Sequence, residues 1–327
     1  MTRSTPMPSP HGQRLGSKEE TGPPSIPPYP HETDFSVITV GTGNPMPSLE
    51  RGGPSTMIQY QGKYYLVDMG NGTQHGLLKG EKGIFAPRDI VALCFTHFHQ
   101  DHTNDFFDIM TNRWLAGGKE LTIVGPPGAK ELYEFLITFF KDDLAYRLLH
   151  VVERGLSGAG MFTDVTIREL TGSAAFTLAD LEVTTAELTH TMYDLGYRFE
   201  AAGKRVVVSG DTTYDERLVT LAKDADVLVM DCDERWPGRR RHNIPDGSAL
   251  ESRYRPSGRH GGNFEVRPHA TLDEIATMAS AAGVKHLVLV MSGVGFVDSS
   301  ALYSLQMAAE NLRAAGVTVH LADVKGP

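Results

Sequence analysis

Short apolar runs alternate with longer amphipathic stretches along most of the chain. From Phe35 onward, "FSVITVGTG" precedes the runs "STMIQYQ" and "KYYLVDMG", which a Gly-Lys turn joins. Apolar runs of this length that are bounded by glycine predict a strand followed by a hairpin. The run "DIVALCFTH" predicts a further, buried strand, and "NDFFDIMTNRWLAGG" then places apolar residues at helical spacing before a Gly-Gly stop.

The same alternation continues to the end of the chain. Strands are predicted at "LTIVG", "DVTIREL", "LEVTTAELTH", "DVLVMD", "KHLVLV" and "VTVHLADV", and a hairpin at "GYRFEAAGKRVVVSGDT". Helices are predicted at "AKELYEFLITFFKDDL", "YDERLVTLAKDA", "TLDEIATMASAAG" and "ALYSLQMAAENLRAAG". Thr271 and Glu274 form a capping box at the start of the third helix. Because no repeat at a solenoid period is present, we expect residues 34–327 to form one α/β domain with sheets covered by helices.

Residues 1–33 differ in composition from the rest of the chain. They are rich in Pro, Gly, Ser and charged residues, which predicts a disordered N-terminal tail. They contain no apolar run of the length that a signal peptide needs. No later segment approaches the ~20 apolar residues of a membrane span. We therefore expect a cytoplasmic protein without a membrane partner, although a processed secreted chain would show the same features.

Charge and cysteine content narrow the classes of function. The chain of 327 residues has a formal net charge of -9, which argues against broad electrostatic attraction to nucleic acid or to an anionic membrane. The charge thus disfavours nucleic acid as a partner. Cys94 and Cys232 both lie in apolar runs, which predicts buried free thiols and neither a disulfide framework nor a thiolate metal cage.

The stretch "THFHQDHTND" places three histidines and an aspartate in six consecutive residues, directly after a predicted strand. His97 and His99 are two residues apart and point the same way while the chain is extended. Asp101 and His102 follow after the chain turns, where they can face a second point. Imidazole and carboxylate groups suit zinc, and also iron or manganese. Two neighbouring metal ions explain this arrangement better than one.

Three later residues can complete such a site. His190 ends the run "VTTAELTH", Asp211 ends "RVVVSGD", and His269 lies just before a capped helix. A single histidine at a strand end is more often structural than a ligand. The shared placement of these three residues next to regular elements favours ligation.

The order of these motifs resembles that of the metallo-β-lactamase superfamily of metallohydrolases. The resemblance rests on "HFHQDH", the lone His190, "SGDT" around Asp211 and "PHAT" around His269. The stretches "GTGNPMPS", "VDMGNGTQ", "VGPPG" and "HATLDEIATMASAAGVKHLVL" are similar to the ribonuclease Z branch. The resemblance covers about residues 36 to 325.

The resemblance implies a four-layer αββα sandwich with two metal ions, zinc by preference and manganese or iron as alternatives, at one edge between the sheets. It implies that His97, His99 and His190 hold the first metal, that Asp101, His102 and His269 hold the second, and that Asp211 bridges both. Asp68 would orient the histidine turn. Two such cations supply a hydroxide near neutral pH and stabilise a developing oxyanion. Asp101 would also steer the proton of the attacking water.

Two departures from the ribonuclease Z pattern bear on the substrate. Enzymes of this branch that mature transfer RNA carry a long arm between the ligands that correspond to His190 and Asp211, whereas twenty residues separate them here. The branch also has a His-Glu pair that assists proton transfer to the leaving group. Met230 and Asp231 occupy those positions, which predicts the loss of a histidine acid.

Residues 235–267 form an arginine-rich segment that ends beside His269. We interpret it as an active-site loop insertion that binds an anionic or aromatic substrate through guanidinium and stacking contacts. A solvated surface loop or a subunit contact explains the composition equally well. The candidate substrate contacts within and outside the segment are Trp114, Tyr193, Trp236, Arg239, Arg240 and His242.

The sequence thus predicts a dinuclear zinc hydrolase of a small ester, with a phosphodiester or an aryl sulfate ahead of a lactone. A homodimer is compatible with the resemblance. One alternative is an endonuclease of the ribonuclease Z type that processes the 3′ end of transfer RNA. The other is a metal-binding module without catalysis, against which the complete ligand set argues.

Overall fold

The computed structural model describes residues 35–46, 48–49, 51–79, 87–232, 268–290 and 299–322. The strands are β1 (Phe35–Gly41), β2 (Ser55–Tyr60), β3 (Lys63–Val67), β4 (Ile90–Cys94), β5 (Leu121–Gly125), β6 (Val165–Glu169), β7 (Ala174–Leu178), β8 (Leu181–Leu188), β9 (Asp194–Ala201), β10 (Lys204–Val208), β11 (Val227–Asp231), β12 (His286–Val290) and β13 (Thr318–Ala322). The helices are α1 (Thr73–Lys79), α2 (Phe106–Leu115), α3 (Ala129–Phe139), α4 (Lys141–Glu153), α5 (Glu216–Leu221), α6 (Leu272–Ala282) and α7 (Ser299–Ala314). Two 3-10 turns lie at Pro87–Asp89 and Gln100–His102.

The strands form two mixed sheets. In the first sheet the order is β1-β2-β3-β4-β5-β6, and in the second it is β13-β12-β11-β10-β9-β8-β7. Strands β3 to β6 pair in parallel, as do β10 to β13. Because the carboxyl ends of parallel strands meet at the same edge of a sheet, the loops that follow them gather at that edge.

Alternate side chains of each strand pack into different layers. Tyr65 and Val67 of β3 face the second sheet and contact the cluster that holds Tyr197 and Phe199. Leu66 faces the opposite way, toward the side chains of α2 to α4. A third cluster joins the outer side of the second sheet to α5, α6 and α7. The period of two along each strand therefore builds the predicted four-layer αββα sandwich.

Tight turns and caps form where the sequence predicts them. Gln61 and Gly62 both have positive φ between β2 and β3, which is the two-residue hairpin geometry that matches strand twist. The hairpin between β9 and β10 turns in the same way at Ala202 and Gly203. At the start of α6, both hydrogen bonds of the predicted capping box are present.

Three elements differ from the sequence prediction. The short helix α1 was not predicted, and it places Gly76 so close to Val40 that a β-carbon would lie 2.5 Å from the Val40 carbonyl oxygen. The single helix predicted from Ala129 is two helices, because the backbone leaves helical geometry at Phe140. Strand β7 was also not predicted, and its exposed positions explain its weak apolar signal.

Several predicted features lie outside the described residues. These are the N-terminal tail at 1–33 and the arginine-rich segment at 235–267. Among the helices that the structure describes, none is both long and apolar enough to span a membrane.

Candidate metal centre

The histidine turn (residues 96–102) begins two residues after β4. Contacts with the loop after β3 and with β9 hold it in place. Met69 donates its backbone N–H to the carbonyl oxygen of His102 at 2.8 Å, and Leu195 donates to Thr96 at 2.9 Å. Gly70 approaches the turn so closely that a β-carbon there would lie 2.3 Å from the Asp101 carbonyl oxygen. These backbone contacts therefore fix the path of the turn independently of its side chains.

Four side chains meet in a first group of potential metal ligands. One ligand atom from each of His97, His99, His190 and Asp211 lies within 4.8 Å of the others. His97 Nε2 and His190 Nε2 are 3.0 and 3.2 Å from His99 Nδ1. Asp211 Oδ2 is 3.9 Å from His97 Nε2 and 4.0 Å from His190 Nε2. The loops after β4, β8 and β10 thus aim three imidazoles and a carboxylate at one point.

The outer ring nitrogens of this group are anchored. His190 Nδ1 is 2.8 Å from the carbonyl oxygen of Pro268, which can only accept a hydrogen bond, so this nitrogen carries the proton. His97 Nδ1 lies 3.1 Å from Asp194 Oδ1, also an acceptor. The Nε2 atom of each ring therefore turns its lone pair toward the centre, as a metal ligand must.

Burial keeps these imidazoles neutral. It lowers the pKa of His97 well below the ordinary value and lowers the pKa of His99. It also lowers the pKa of His190 to about 4. A histidine must be deprotonated at one ring nitrogen to bind a metal, so these three rings are ready as ligands at neutral pH.

A second group of side chains surrounds His102. Its Nε2 atom is buried, lies 3.4 Å from Asp211 Oδ2 and 3.9 Å from Asp101 Oδ2, and has no hydrogen-bond partner among the described residues. Burial alone would lower the pKa of His102, but the carboxylates of Asp211 and Asp68 outweigh burial and raise it well above the ordinary value. The field at this nitrogen therefore favours positive charge, which either a proton or a metal ion provides.

Asp68 lies behind His102 and holds its ring. Its Oδ2 atom is 2.8 Å from His102 Nδ1, and its carboxylate also accepts from the backbone N–H of Thr96 at 2.8 Å and from the hydroxyl of Thr96 at 2.7 Å. Asp68 has a φ of 61°, an uncommon conformation that the hydrogen bonds maintain. The carboxylate thus fixes the proton on Nδ1 and leaves Nε2 facing Asp211.

Asp231 is a site residue that the sequence analysis did not count among the ligands. Its Oδ2 atom lies 2.6 Å from His269 Nδ1, and Asp211 Oδ2 lies 3.8 Å from the same nitrogen. Asp211, Asp231 and His269 form a further set whose ligand atoms lie within 4.8 Å of one another, and Asp211 joins this set to the group around His102. Met230 stands where the sequence analysis expected a histidine to be missing, and His269 reaches Asp231 from the loop before α6. Asp231 ends β11, which pairs in parallel with β10, so Asp231 and Asp211 lie at the same edge of the sheet. The position of Asp231 at the end of a predicted strand was the signal in the sequence.

The candidate substrate contacts fall into three cases. Trp114 is 1% exposed, donates its indole N–H to Ser157 at 2.8 Å and packs against Phe162, so it is a core residue and its proposed substrate contact is corrected. Tyr193 is half-buried, and its hydroxyl accepts the backbone N–H of Gly172. The remaining contacts, Trp236, Arg239, Arg240 and His242, lie outside the described residues.

The donor set fits divalent metal ions. Imidazoles and carboxylates converge on Asp211, at the edge where two sheets meet, and hydrogen bonds on the outer ring nitrogens hold three of the rings. A rigid set of this kind, with access to solvent beside His269, is typical of metal-dependent hydrolases.

Comparison with known proteins identifies the family. The model of the beta-lactamase superfamily domain matches residues 64–290. A ribonuclease Z of Mycolicibacterium paratuberculosis (strain ATCC BAA-968 / K-10) is 30% identical over 266 residues, which cover 78% of this chain and 85% of that protein. The chain therefore belongs to the metallo-β-lactamase superfamily, in its ribonuclease Z-like branch, and is a metal-dependent hydrolase that acts on ester bonds.

Solved structures share the fold at lower identity. The metallo-beta-lactamase fold protein YhfI from Bacillus subtilis has a TM-score of 0.61 at 16% identity, with 88% of this chain and 95% of that chain covered. The short form of human tRNase Z has a TM-score of 0.57 at 20% identity, with coverage of 87% and 95%. Both likenesses support the αββα architecture.

The relatives correct one expectation about partners. The net charge of -9 disfavoured nucleic acid, but proteins that are about 30% identical over most of this chain are ribonucleases. The net charge of a protein determines its long-range attraction to other charged molecules. It does not determine the charge of a local binding surface, so it could not predict which substrate the site binds.

Proposed function

We propose that this protein is a zinc-dependent phosphodiesterase of the ribonuclease Z type, which cleaves the 3′ trailer from a transfer RNA precursor. The observation that carries the proposal is the 30% identity with a ribonuclease Z over 78% of the chain. The buried cluster of imidazoles and carboxylates around Asp211 supports it, because the ester bonds of RNA are hydrolysed by such sites.

The two groups of side chains would hold two zinc ions. His97, His99 and His190 would hold one, Asp101, His102 and His269 the other, and Asp211 would serve both. Zinc suits imidazole-rich sets, and manganese or iron remain alternatives for the carboxylate-rich group. When bound, the two cations supply a hydroxide near neutral pH and offset the negative charge that develops on the phosphoryl group.

Two carboxyl groups of the chain are placed to handle protons. Burial raises the pKa of Asp101, so this carboxylate is a better base than an exposed aspartate and can accept the proton of the attacking water. Asp231 lies 2.6 Å from His269 Nδ1 and stabilises that ring in its protonated form. His269, which is 19% exposed, can then donate a proton to the departing ribose 3′ oxygen. His269 can serve as a ligand or as this donor, and a His269→Gln variant that keeps its metal but loses activity would assign it as the donor.

A cleavage assay tests the proposal. The metal-replete protein is incubated with a transfer RNA precursor that carries a 3′ trailer, and the products are mapped at nucleotide resolution, with EDTA-treated protein and the Asp211→Ala variant as controls. We expect a single cut after the discriminator region in the replete protein alone. Intact precursor in the presence of bound zinc would contradict the proposal.

One structural observation favours a second candidate function, hydrolysis of a small phosphodiester. The chain between His190 and Asp211 is filled by β9, β10 and a two-residue turn, so these described residues contain no extended arm. A bis-aryl phosphodiester in a parallel assay separates the candidates. Turnover of this ester with no cleavage of the RNA would favour the small substrate.

A further inference from the structure

Asp194 is a buried carboxylate with very few partners. It begins β9, its side chain is 0% exposed, and no side chain among the described residues donates a well-aligned hydrogen bond to either carboxylate oxygen. Its close contact is His97 Nδ1, at 3.1 Å from Oδ1. Burying a carboxylate with so little compensation destabilises a fold, so a residue of this kind calls for a functional explanation.

The hydroxyl of Thr96 shows which way the proton of His97 points. That hydroxyl has one hydrogen, which it donates to Asp68 Oδ2 at 2.7 Å. Its oxygen also lies 2.9 Å from His97 Nδ1, where it can only accept. His97 Nδ1 must therefore carry a hydrogen, which Thr96 Oγ1 accepts, and Asp194 Oδ1 lies 3.1 Å from the same nitrogen.

Gly210 makes room for this contact. It has a φ of 65°, and a β-carbon at that position would lie 2.7 Å from Asp194 Oδ1 and 2.8 Å from the Thr96 β-carbon. Gly210 immediately precedes Asp211, so the loop that delivers the shared carboxylate also leaves the space that the carboxylate of Asp194 occupies. The backbone at Gly210 therefore permits the close approach between Asp194 and His97.

We propose that Asp194 is a positioning residue, whose carboxyl group contacts the Nδ1–H of His97, holds that ring in place and strengthens its Nε2 atom as a metal ligand. The carboxylate polarises the Nδ1–H bond of His97 and makes Nε2 a stronger electron donor. The inference rests on the proposed metal centre, but not on the identity of the substrate.

The proposal predicts that substitution of Asp194 lowers the affinity for zinc but does not lower the Tm of the metal-stripped protein. Asp194→Asn keeps the shape and one acceptor oxygen but removes the charge, and Asp194→Leu removes both. We expect the affinity for the first zinc ion to fall about 10- to 100-fold in Asp194→Leu and by a smaller factor in Asp194→Asn. Because a buried and poorly satisfied carboxyl group is also removed, the Tm of the metal-stripped variants should equal or exceed that of the stripped wild type.

The experiment measures zinc affinity by competition with a chromophoric chelator and Tm with and without zinc, on the full chain. Asp215→Asn is the matched control, because this buried carboxylate is satisfied by Arg217 and Thr189, and its loss should lower the Tm of the stripped protein. The visible spectrum of the cobalt-loaded protein should also change in the Asp194 variants.

Each outcome decides the proposal. Unchanged zinc affinity in Asp194→Asn and Asp194→Leu overturns it, as does a fall in Tm of the stripped variants that matches the control. If Asp194→Leu does not fold, Asp194→Asn alone decides, and an affinity equal to wild type overturns the proposal. A wild type that binds no divalent metal would remove the metal centre itself. Zinc binding without RNA cleavage would contradict only the ribonuclease proposal.

Discussion

The two halves of the metal centre are built in different ways. In the first half, His97 and His190 are almost fully buried, and acceptors on their Nδ1 atoms fix both rings. In the second half, the carboxylates of Asp101, Asp211 and Asp231 crowd around His102 and His269, and His269 is 19% exposed. Acceptors on the outer ring nitrogens therefore fix the ligands of the first half, whereas the charges of three carboxylates dominate the second half.

This difference has a consequence for metal exchange. His97 and His190 are buried and have acceptors on their Nδ1 atoms, so the first half should bind its ion without rearrangement and release it slowly. The second half has access to solvent through His269, so it should exchange its ion faster. Asp211 belongs to both halves, because its Oδ2 atom is within 4.0 Å of ring nitrogens on either side.

The largest effect is expected for Asp211→Ala, which removes the one group that both halves share. Several kcal/mol of stabilisation should be lost, so hydrolysis should fall by roughly three orders of magnitude, and bound zinc should fall with it. The measurement is kcat/KM on the active substrate together with the metal content. Asp180→Ala is the control, because Asp180 is 41% exposed, pairs with Lys63 and lies at the opposite end of β8 from His190. Activity of Asp211→Ala near that of the control would contradict the shared role.

Single substitutions in each half should separate the two ions. His190→Ala and His102→Ala should each reduce the bound metal from roughly two ions to roughly one per chain. The remaining ion of His102→Ala should leave slowly on addition of EDTA, and that of His190→Ala should leave fast. Equal rates of release in the two variants would show that the halves do not differ in the way described.

A smaller effect is expected when the carboxylate behind His102 is removed. Asp68→Ala frees the ring of His102 and leaves the hydroxyl of Thr96 without its acceptor. The affinity of the second half for metal should fall about 10- to 100-fold, as is typical when a residue that orients a ligand is lost. Chelator competition measures this loss, and affinity of the first half serves as the internal reference. An equal loss in both halves would instead indicate general unfolding of the turn.

The pH dependence of the metal-stripped protein tests the first half through the stability of the fold, without any bound metal. The pKa of His190 is about 4 in the fold against 6.5 for an ordinary histidine, so the unfolded chain binds more protons between these values. The free energy of unfolding should therefore fall as the pH drops from about 6.5 to 4, by roughly 3 kcal/mol from this group. Denaturant titrations of stripped wild type and His190→Gln measure the difference. A slope that is the same in both proteins would contradict the assignment.

The sequence predicted most of the regular structure because its local signals were strong. The capping box at Thr271 and the hairpin at Gly62 depend on neighbouring residues, and both formed as predicted. Helix α1 contains Gly76 and lies against Val40, so its stability comes from a tertiary contact that no local pattern contains. The break at Phe140 was missed because the apolar spacing continues across it.

The candidate site likewise contains residues that local sequence signals identify and residues that only the fold brings together. The residues of the histidine turn are adjacent in sequence, so their chemistry could be inferred from spacing. The roles of Asp194 and Asp231 depend on which strand ends meet in space, and their contacts with His97 and His269 span long stretches of chain. An isolated aspartate at a strand end carries too little information to be identified without the fold.

A zinc titration of the stripped protein tests the central claim most directly, with hydrolysis measured at each point. We expect no activity at the start and a rise that ends at roughly two zinc ions per chain, since both halves must be filled. Full activity in the stripped protein, or a plateau without any zinc bound near Asp211, would contradict the account of two half-sites that share one carboxylate.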